Sequence, residues 1–359
     1  RSVLESSKVF NEDIIKQLLV RDDMNHLLLS DANKIMGKLA QEFPEIITLS
    51  TIVTTLGNRP MVMMTIDAPV GGKKTVKPAI MLTGAHHARE VMSVQMPLYS
   101  VLRMIHGGIV HQDAHYQQLL SNTKYYVIPV VNVDGLGEIE RLWKETGVYH
   151  IRRKNMNYDH ENPPCEDPDM AGVDINRNYG VNWDVPGGSS DDPCTDNHRG
   201  AAPFSERESS AIRDFLTPRK EEIKFVYNFH SFGNLYLWPY NGEYPNSLSK
   251  KNPEALSLFM DIWNESTFPE GTLNGNAWEA LRYHSSGEQS DWILGELGIP
   301  SICPEMGSSD YFSFDYTIPF RHTMVSVLEE NINWLENTYF KINSQIKVEP
   351  MGFKALDGS

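Results

Sequence analysis

The sequence predicts an α/β fold. Three observations carry this: strand and helix signals alternate along the chain, no internal repeat or low-complexity tract interrupts them, and an apolar run at Ala79–Thr83 precedes a long helical pattern over Glu90–Ile105. An uninterrupted apolar run of that kind is what a strand buried on both faces shows. In chain order, Ser30 and Asp31 are the candidate caps of a helix in which Ile35, Leu39 and Phe43 share one face, and Pro44 ends it. Ile46–Thr55 and Met61–Asp67 read as strands joined through Leu56-Gly57-Asn58-Arg59-Pro60, a hairpin. Another buried strand is expected over Tyr125–Val133. From about residue 155 to 204 the periodicity disappears, and so long a connection is commonly either functional or restrained. Ser205 and Glu208 have the spacing of a capping box for the next helix. Further strands are expected at Ile223–Phe229, Leu235–Trp238 and Ser301–Pro304, and a last amphipathic helix at about Phe320–Tyr339.

The chain has 359 residues, 40% of them apolar and 22% charged, enough to build a packed core. Layered α/β enzymes of this size often share one sheet, and no linker is visible. A single unit is therefore expected over residues 25–340, between an N-terminal extension, 1–24, and a weakly patterned tail, 341–359. Lys and Arg total 32 against 47 Asp and Glu, a net charge of -15, which works against binding nucleic acid or an anionic membrane through bulk charge. The apolar stretches are far shorter than the roughly 18 residues of a membrane-spanning helix. Because the chain starts at Arg1 rather than Met, any leader is expected to have been removed.

Cys165 and Cys194 lie in the unpatterned stretch, where a disulfide would restrain a long connection and leave Cys303 as a thiol. Three buried thiols in a cytosolic chain are the alternative that spacing leaves open. The sequon Asn264-Glu265-Ser266 leans the same way as a disulfide, toward a glycosylated chain that is secreted or held in a vacuolar or lysosomal lumen.

His87 and Glu90 follow the first buried strand at a spacing that can bring an imidazole and a carboxylate to one side of a turn. With 12 histidines and 47 acids among 359 residues, chance supplies about 1.6 such pairs, so the motif alone is ordinary. Its place at a strand end is not, because ligand sites in open α/β sheets form there. His230, at the end of another strand, supplies a third ligand, and two His plus one carboxylate leave a fourth position open for water.

At these residues the chain resembles the zinc carboxypeptidases of the carboxypeptidase A/B type. The resemblance rests on His87-x-x-Glu90, on His230-Ser231 ahead of Trp238-Pro239-Tyr240, and on Val173-Asp174-Ile175-Asn176-Arg177-Asn178. It continues through Arg152-Arg153-Lys154, Tyr283 before Ser286-Gly287, Asp291-Trp292 and Glu305, in one order over roughly residues 25 to 340. It implies a single α/β/α domain with a central mixed, mostly parallel twisted sheet. It also implies one zinc ion per chain and removal of the last residue from peptide or protein C-termini.

The roles it implies are chemically coherent. Glu305 acts as base on a zinc-bound water and then as acid toward the leaving amine, and Arg153 stabilises the oxyanion. Arg177 offers a planar fork matching a terminal carboxylate, Asn176 adds a neutral donor, and Tyr283 closes over the bound residue. Asp174 orients His87, and Arg89 guides the substrate electrostatically. Ser290 stands where related enzymes carry an acid for basic residues or an aliphatic for apolar ones. With Leu237 and Trp278 beside it, an apolar or aromatic last residue is expected, although Arg282 leaves room for an acidic one. Two rivals remain: a zinc amidohydrolase of small N-acyl amino acids, and a catalytically silent peptide-binding relative, whose mark would be loss of a ligand, Arg153 or Glu305.

Overall fold

The computed structural model describes residues 27–70, 72, 75–307 and 321–344; the extension over 1–24 and the tail beyond Ser344 lie outside the described residues. Helix α1 (Leu29–Glu42) leads into β1 (Ile47–Thr54) and β2 (Pro60–Ile66), which pair antiparallel as the turn between them predicts. The expected cap is corrected: Leu28 holds the cap position, and Asp31 reaches back from the first turn to accept the Leu28 N–H at 3.0 Å. Next come β3 (Ala79–Thr83), α2 (Met92–Ile105), α3 (Ala114–Asn122), β4 (Lys124–Ile128) and α4 (Val133–Thr146). The apolar run after Tyr125 therefore divides. Its strand stops at Ile128, and Val133 opens α4 behind Asn132, whose side chain accepts the Gly135 N–H at 2.8 Å.

Past the irregular stretch, α5 (Arg207–Leu216) starts behind Glu206 rather than through the expected Ser205/Glu208 box. Ser205 Oγ donates to Glu206 Oε1 at 2.8 Å, and Glu208 is buried. The remaining elements are β5 (Ile223–Asn228), β6 (Leu235–Leu237), α6 (Ser247–Lys251), α7 (Pro253–Glu265), β7 (Leu273–Gly275), α8 (Ala277–Leu281), α9 (Gln289–Leu297), β8 (Ser301–Glu305) and α10 (Arg321–Ser344).

The eight strands form one mixed sheet in the order β1-β2-β4-β3-β5-β8-β6-β7. Its central neighbours β4, β3, β5 and β8 run parallel. The hairpin joins antiparallel at β2–β4, and β6 joins antiparallel to β8 while pairing parallel with β7. Every residue of β3 is buried, so both faces of the sheet are covered there. One group of helices, α2, α3 and α7, packs around α10; α1 and α5 pack on β1, and α9 on β5 and β8. Trp334 and Tyr339 of α10 are fully buried, and Thr338 Oγ1 lies 2.6 Å from Tyr227 Oη, tying α10 to β5. Parallel central strands end at one edge of the sheet, so the segments that follow β3, β5 and β8 meet there.

Candidate active site

The chain leaves β3 through Gly84, where a Cβ would come 2.1 Å from the Ser93 carbonyl oxygen; only glycine allows so close an approach. Ala85 N–H donates to Ser93 Oγ at 2.8 Å, and Asn132 Nδ2 donates to the carbonyls of His86 at 3.3 Å and Arg153 at 3.1 Å. His87 and Glu90 sit on the turn so fixed, ahead of α2 rather than within it, with the Glu90 N–H bonded to the His87 carbonyl at 3.1 Å. β5 lies beside β3 with Asn228 opposite Thr83, which brings His230 to the same edge. The His230 N–H donates to the Pro304 carbonyl at 2.9 Å, and its own carbonyl accepts from Met306 at 3.0 Å, clamping it against the end of β8.

Three donors converge. Nδ1 of His87 lies 2.7 Å from Glu90 Oε1, Nδ1 of His230 lies 2.8 Å from Glu90 Oε2, and the two ring nitrogens are 3.1 Å apart. All three residues are buried. Two ring nitrogens aimed at each other at that distance cannot both carry a hydrogen, and a shared cation satisfies both. Burial pushes the Glu90 carboxyl up, but the two imidazoles outweigh it and hold it well below the usual carboxylate range. Burial lowers the His230 pKa against the pull of Glu90, favouring the neutral ring that ligates metal. His87 Nε2 meets Asp174 Oδ1 at 3.0 Å, and the Asn176 amide lies 3.2 Å from His230 Nε2, so each ring is also held from behind. Among the described residues this is the one group of its kind, and its donor set fits zinc with a position open for water.

The other expected residues gather around it. Arg153 lies on Asp174 through Nε at 2.9 Å and Nη2 at 2.7 Å, with Nη1 3.6 Å from Glu90 Oε1. Glu305 ends β8 and bridges in register with His230. Burial first, then the charge of Glu90, pushes its carboxyl well above the usual range, while Arg153 pulls the other way. Asn176 is more committed than expected: besides His230, its oxygen accepts from Asn228 Nδ2 at 3.0 Å and from the Gln289 N–H at 3.1 Å. Arg177 is buried, donating from Nε to the Gly188 carbonyl at 3.1 Å and from Nη1 to the Asn176 carbonyl at 3.0 Å. A Cβ at Gly287 would sit 2.3 Å from the Arg177 carbonyl oxygen, so a glycine with φ +67 lets the 285–288 segment lie directly on it. Tyr283 stands at the rim, 45% exposed. Loss of hydration raises its phenol to about 12, with Arg177 lowering and Glu305 raising it.

Arg89 reaches Asp196 at 3.3 Å, two residues beyond the Cys165–Cys194 disulfide, and Cys303 is a free, buried thiol. Leu237 lies opposite Cys303 on β8 and forms with it and Leu235 a small apolar wall. Ser290 is buried in the first turn of α9. Trp278 is stacked on His284, ring centroids 4.7 Å apart, with Tyr244 edge-on at 5.5 Å. Arg282 is exposed and ends α8 with φ 63.

Sequence reasoning passed over Glu288 and Asn241. Glu288 is buried two residues before Ser290, and Asn241 Nδ2 donates to its Oε2 at 2.7 Å. The signal available was an acid directly after Gly287, inside a segment otherwise read for its neighbours.

A sequence profile for the family described as zinc carboxypeptidase matches residues 32–333. Mast cell carboxypeptidase A of Homo sapiens is 30% identical over 298 residues, covering 80% of this chain and 66% of its own length. Carboxypeptidase B of Rattus norvegicus is 29% identical over 289 residues, covering 80% of this chain and 59% of its own length. The chain thus spans less than two thirds of either relative. Among solved structures, thrombin activatable fibrinolysis inhibitor superposes with TM-score 0.72 at 20% identity, covering 94% of this chain and 82% of that one. Carboxypeptidase A from Helicoverpa armigera gives 0.67 at 22% identity, covering 97% and 82%. These last two likenesses concern the fold.

Proposed function

The chain belongs to the zinc carboxypeptidase family, and from that premise we propose that it is a zinc-dependent exopeptidase removing the last residue of peptides or proteins. The observation that carries the reading is the junction of two devices through neighbouring residues: Asn176 backs the ligand His230 at 3.2 Å, and the next residue, Arg177, presents a buried guanidinium. Zinc bound by His87, Glu90 and His230 supplies Lewis acidity and a water acidified toward neutrality. Arg177 takes the terminal carboxylate, with Tyr283 closing from the rim. Glu305 moves a proton from the attacking water to the leaving amine nitrogen, a task suited to a carboxyl with a raised pKa. Arg153, held by Asp174 beside Glu90, offers charge to the developing oxyanion.

The chain carries His87, Glu90, His230, Arg153 and Glu305, any of which a silent peptide-binding relative would be expected to have lost. An amidohydrolase of small N-acyl amino acids has less use for the pairing of Arg177 and Tyr283. The test is a set of blocked peptides offered as free acids and as C-terminal amides. Free acids should be cut, chelator should abolish the cutting, and amides should resist, because a neutral amide cannot make the charge-assisted pair with Arg177 that a terminal carboxylate makes. Equal rates on acids and amides overturn the reading. The same reading places the chain in an oxidising compartment, outside the cell or in a vacuolar or lysosomal lumen. It is supported by the disulfide and by the exposed Asn264 of the sequon, and glycan analysis of that asparagine tests it. No helix among the described residues is long and apolar enough to cross a membrane.

A further inference from the structure

An apolar last residue is expected from Ser290, Leu237 and Trp278, but the ring of Trp278 is stacked on His284, and an acid, Glu288, lies beside Ser290 and Arg177. The Glu288 residue is 4% exposed. Asn241 donates to its Oε2 at 2.7 Å and Ser290 to the same oxygen at 3.4 Å, while Ser285 Oγ donates to Oε1. These three donors are neutral; they fix the direction of the carboxylate without balancing its charge. The balancing charge is Arg177, whose Nη1 lies 3.6 Å from Oε1. In the exopeptidase reading that charge is also the one the substrate's terminal carboxylate occupies. On binding, Glu288 would then be a buried anion facing a second anion, an arrangement that costs free energy unless another cation enters. The side chain of the last residue branches from the carbon that bears the terminal carboxylate, so it is the part of the substrate able to reach this place.

We propose that Glu288 selects a cationic last residue, Lys or Arg, over apolar residues and over Asp or Glu. The proposal rests on the exopeptidase reading and names its substrate class. The rest of the pocket agrees with it. Leu235, Leu237 and Cys303 form an apolar wall along which a methylene stem can lie while its head reaches the carboxylate. The Cys303 thiol is pushed up by burial first and by Glu288 next, so the carboxylate's field reaches that wall. Arg282, the residue that left room for an acidic preference, is exposed at the end of α8.

The experiment compares N-blocked dipeptides ending in arginine, citrulline, leucine and glutamate, hydrolysed by the zinc-loaded protein. Arginine and citrulline share a shape and differ in charge, so the ratio of their kcat/KM values isolates the charge. Arginine should exceed citrulline by about tenfold or more. In Glu288→Gln the ratio should fall to within about twofold. A role confined to structure, including any shift of Arg177, would change both substrates alike and leave the ratio where it was. Equal rates on arginine and citrulline in the unaltered protein, or faster cutting of leucine or glutamate than arginine, overturn the proposal and leave the exopeptidase standing. Hydrolysis of none of the peptides overturns the exopeptidase instead. The charge preference is then read from equilibrium binding of the same free-acid arginine and citrulline peptides, where equal affinity overturns it. If Glu288→Gln does not fold, the ratio in the unaltered protein decides.

Discussion

Asp174 accepts from Arg153 twice on a single oxygen, Nε at 2.9 Å and Nη2 at 2.7 Å both reaching Oδ2. The other oxygen, Oδ1, accepts the Asn176 N–H at 2.9 Å and lies 3.0 Å from Nε2 of His87, so one buried carboxylate orients both a candidate metal ligand and the neighbouring cation. Burial pushes this carboxyl up, and Arg153 and His87 outweigh it and hold it well below its usual range. Asp174→Asn keeps the shape but offers one acceptor where two are used. It should weaken zinc binding by about 10- to 100-fold and lower kcat as well. Competition against a chromogenic chelator measures the first effect, and unchanged zinc affinity would show that His87 needs no such support.

Glu305→Gln separates chemistry from binding. The substitution preserves shape at the end of β8 while removing the proton acceptor, so turnover should be lost and zinc content kept. An inhibitor bearing a C-terminal carboxylate should still bind, since Arg177 is untouched. Near-normal turnover in this variant would assign the proton transfer to another group.

The three candidate metal-binding residues were legible because each follows a strand that the sequence marks by an unbroken apolar run. β3 and β5 are parallel neighbours, so local reading of two strand ends placed three residues together. The same signal misled where it ran on: Val130, Val131 and Val133 are buried, but in a turn and in α4 rather than in a strand. The Ser205/Glu208 spacing was a capping box in sequence only, because Glu206 takes the cap position and Ser205 Oγ bonds to the Glu206 carboxylate instead. The acid directly after Gly287 was visible in the sequence, but the partners that hold Glu288 were not all local. Its chief neutral donor, Asn241, stands 47 residues earlier, and a contact of that range is made by the fold.

The disulfide should matter to stability more than to chemistry. Cys165 and Cys194 are 29 residues apart and close the loop that carries Asp174, Asn176 and Arg177. Lys154 ties down the end of this loop, donating from Nζ to the carbonyls of Pro193 and Thr195, on either side of Cys194, at 2.7 Å each. Replacing both cysteines by serine should cost about 3 to 4 kcal/mol in the chain-entropy account, read from the urea midpoint at fixed pH. Under denaturing, non-reducing conditions the unaltered protein should show a single reactive thiol, Cys303. Unchanged stability of the double variant would mean that Lys154 and its carbonyl partners hold the loop alone.

Glu208 gives stability a pH dependence whose sign can be fixed in advance. It is buried on α5, and burial first, with Glu206 and Asp134 adding like charge nearby, raises its carboxyl to about 8 from 4.5. A raised acid binds its proton more tightly folded than unfolded. Its contribution is therefore fully present below the unfolded value of 4.5 and is lost as pH rises to about 8. Each pH unit inside that window removes up to about 1.4 kcal/mol, a total of a few kcal/mol. Glu208→Gln keeps the neutral, hydrogen-bonding form at every pH and has no proton to lose. The stability of the variant relative to the parent should accordingly grow between about pH 5 and about pH 8.5, and groups titrating elsewhere cancel in that difference. Urea unfolding of both proteins with the disulfide intact measures it. A difference that stays constant across the window would show that Glu208 is already ionised in the folded protein and that its burial is compensated by partners other than a proton.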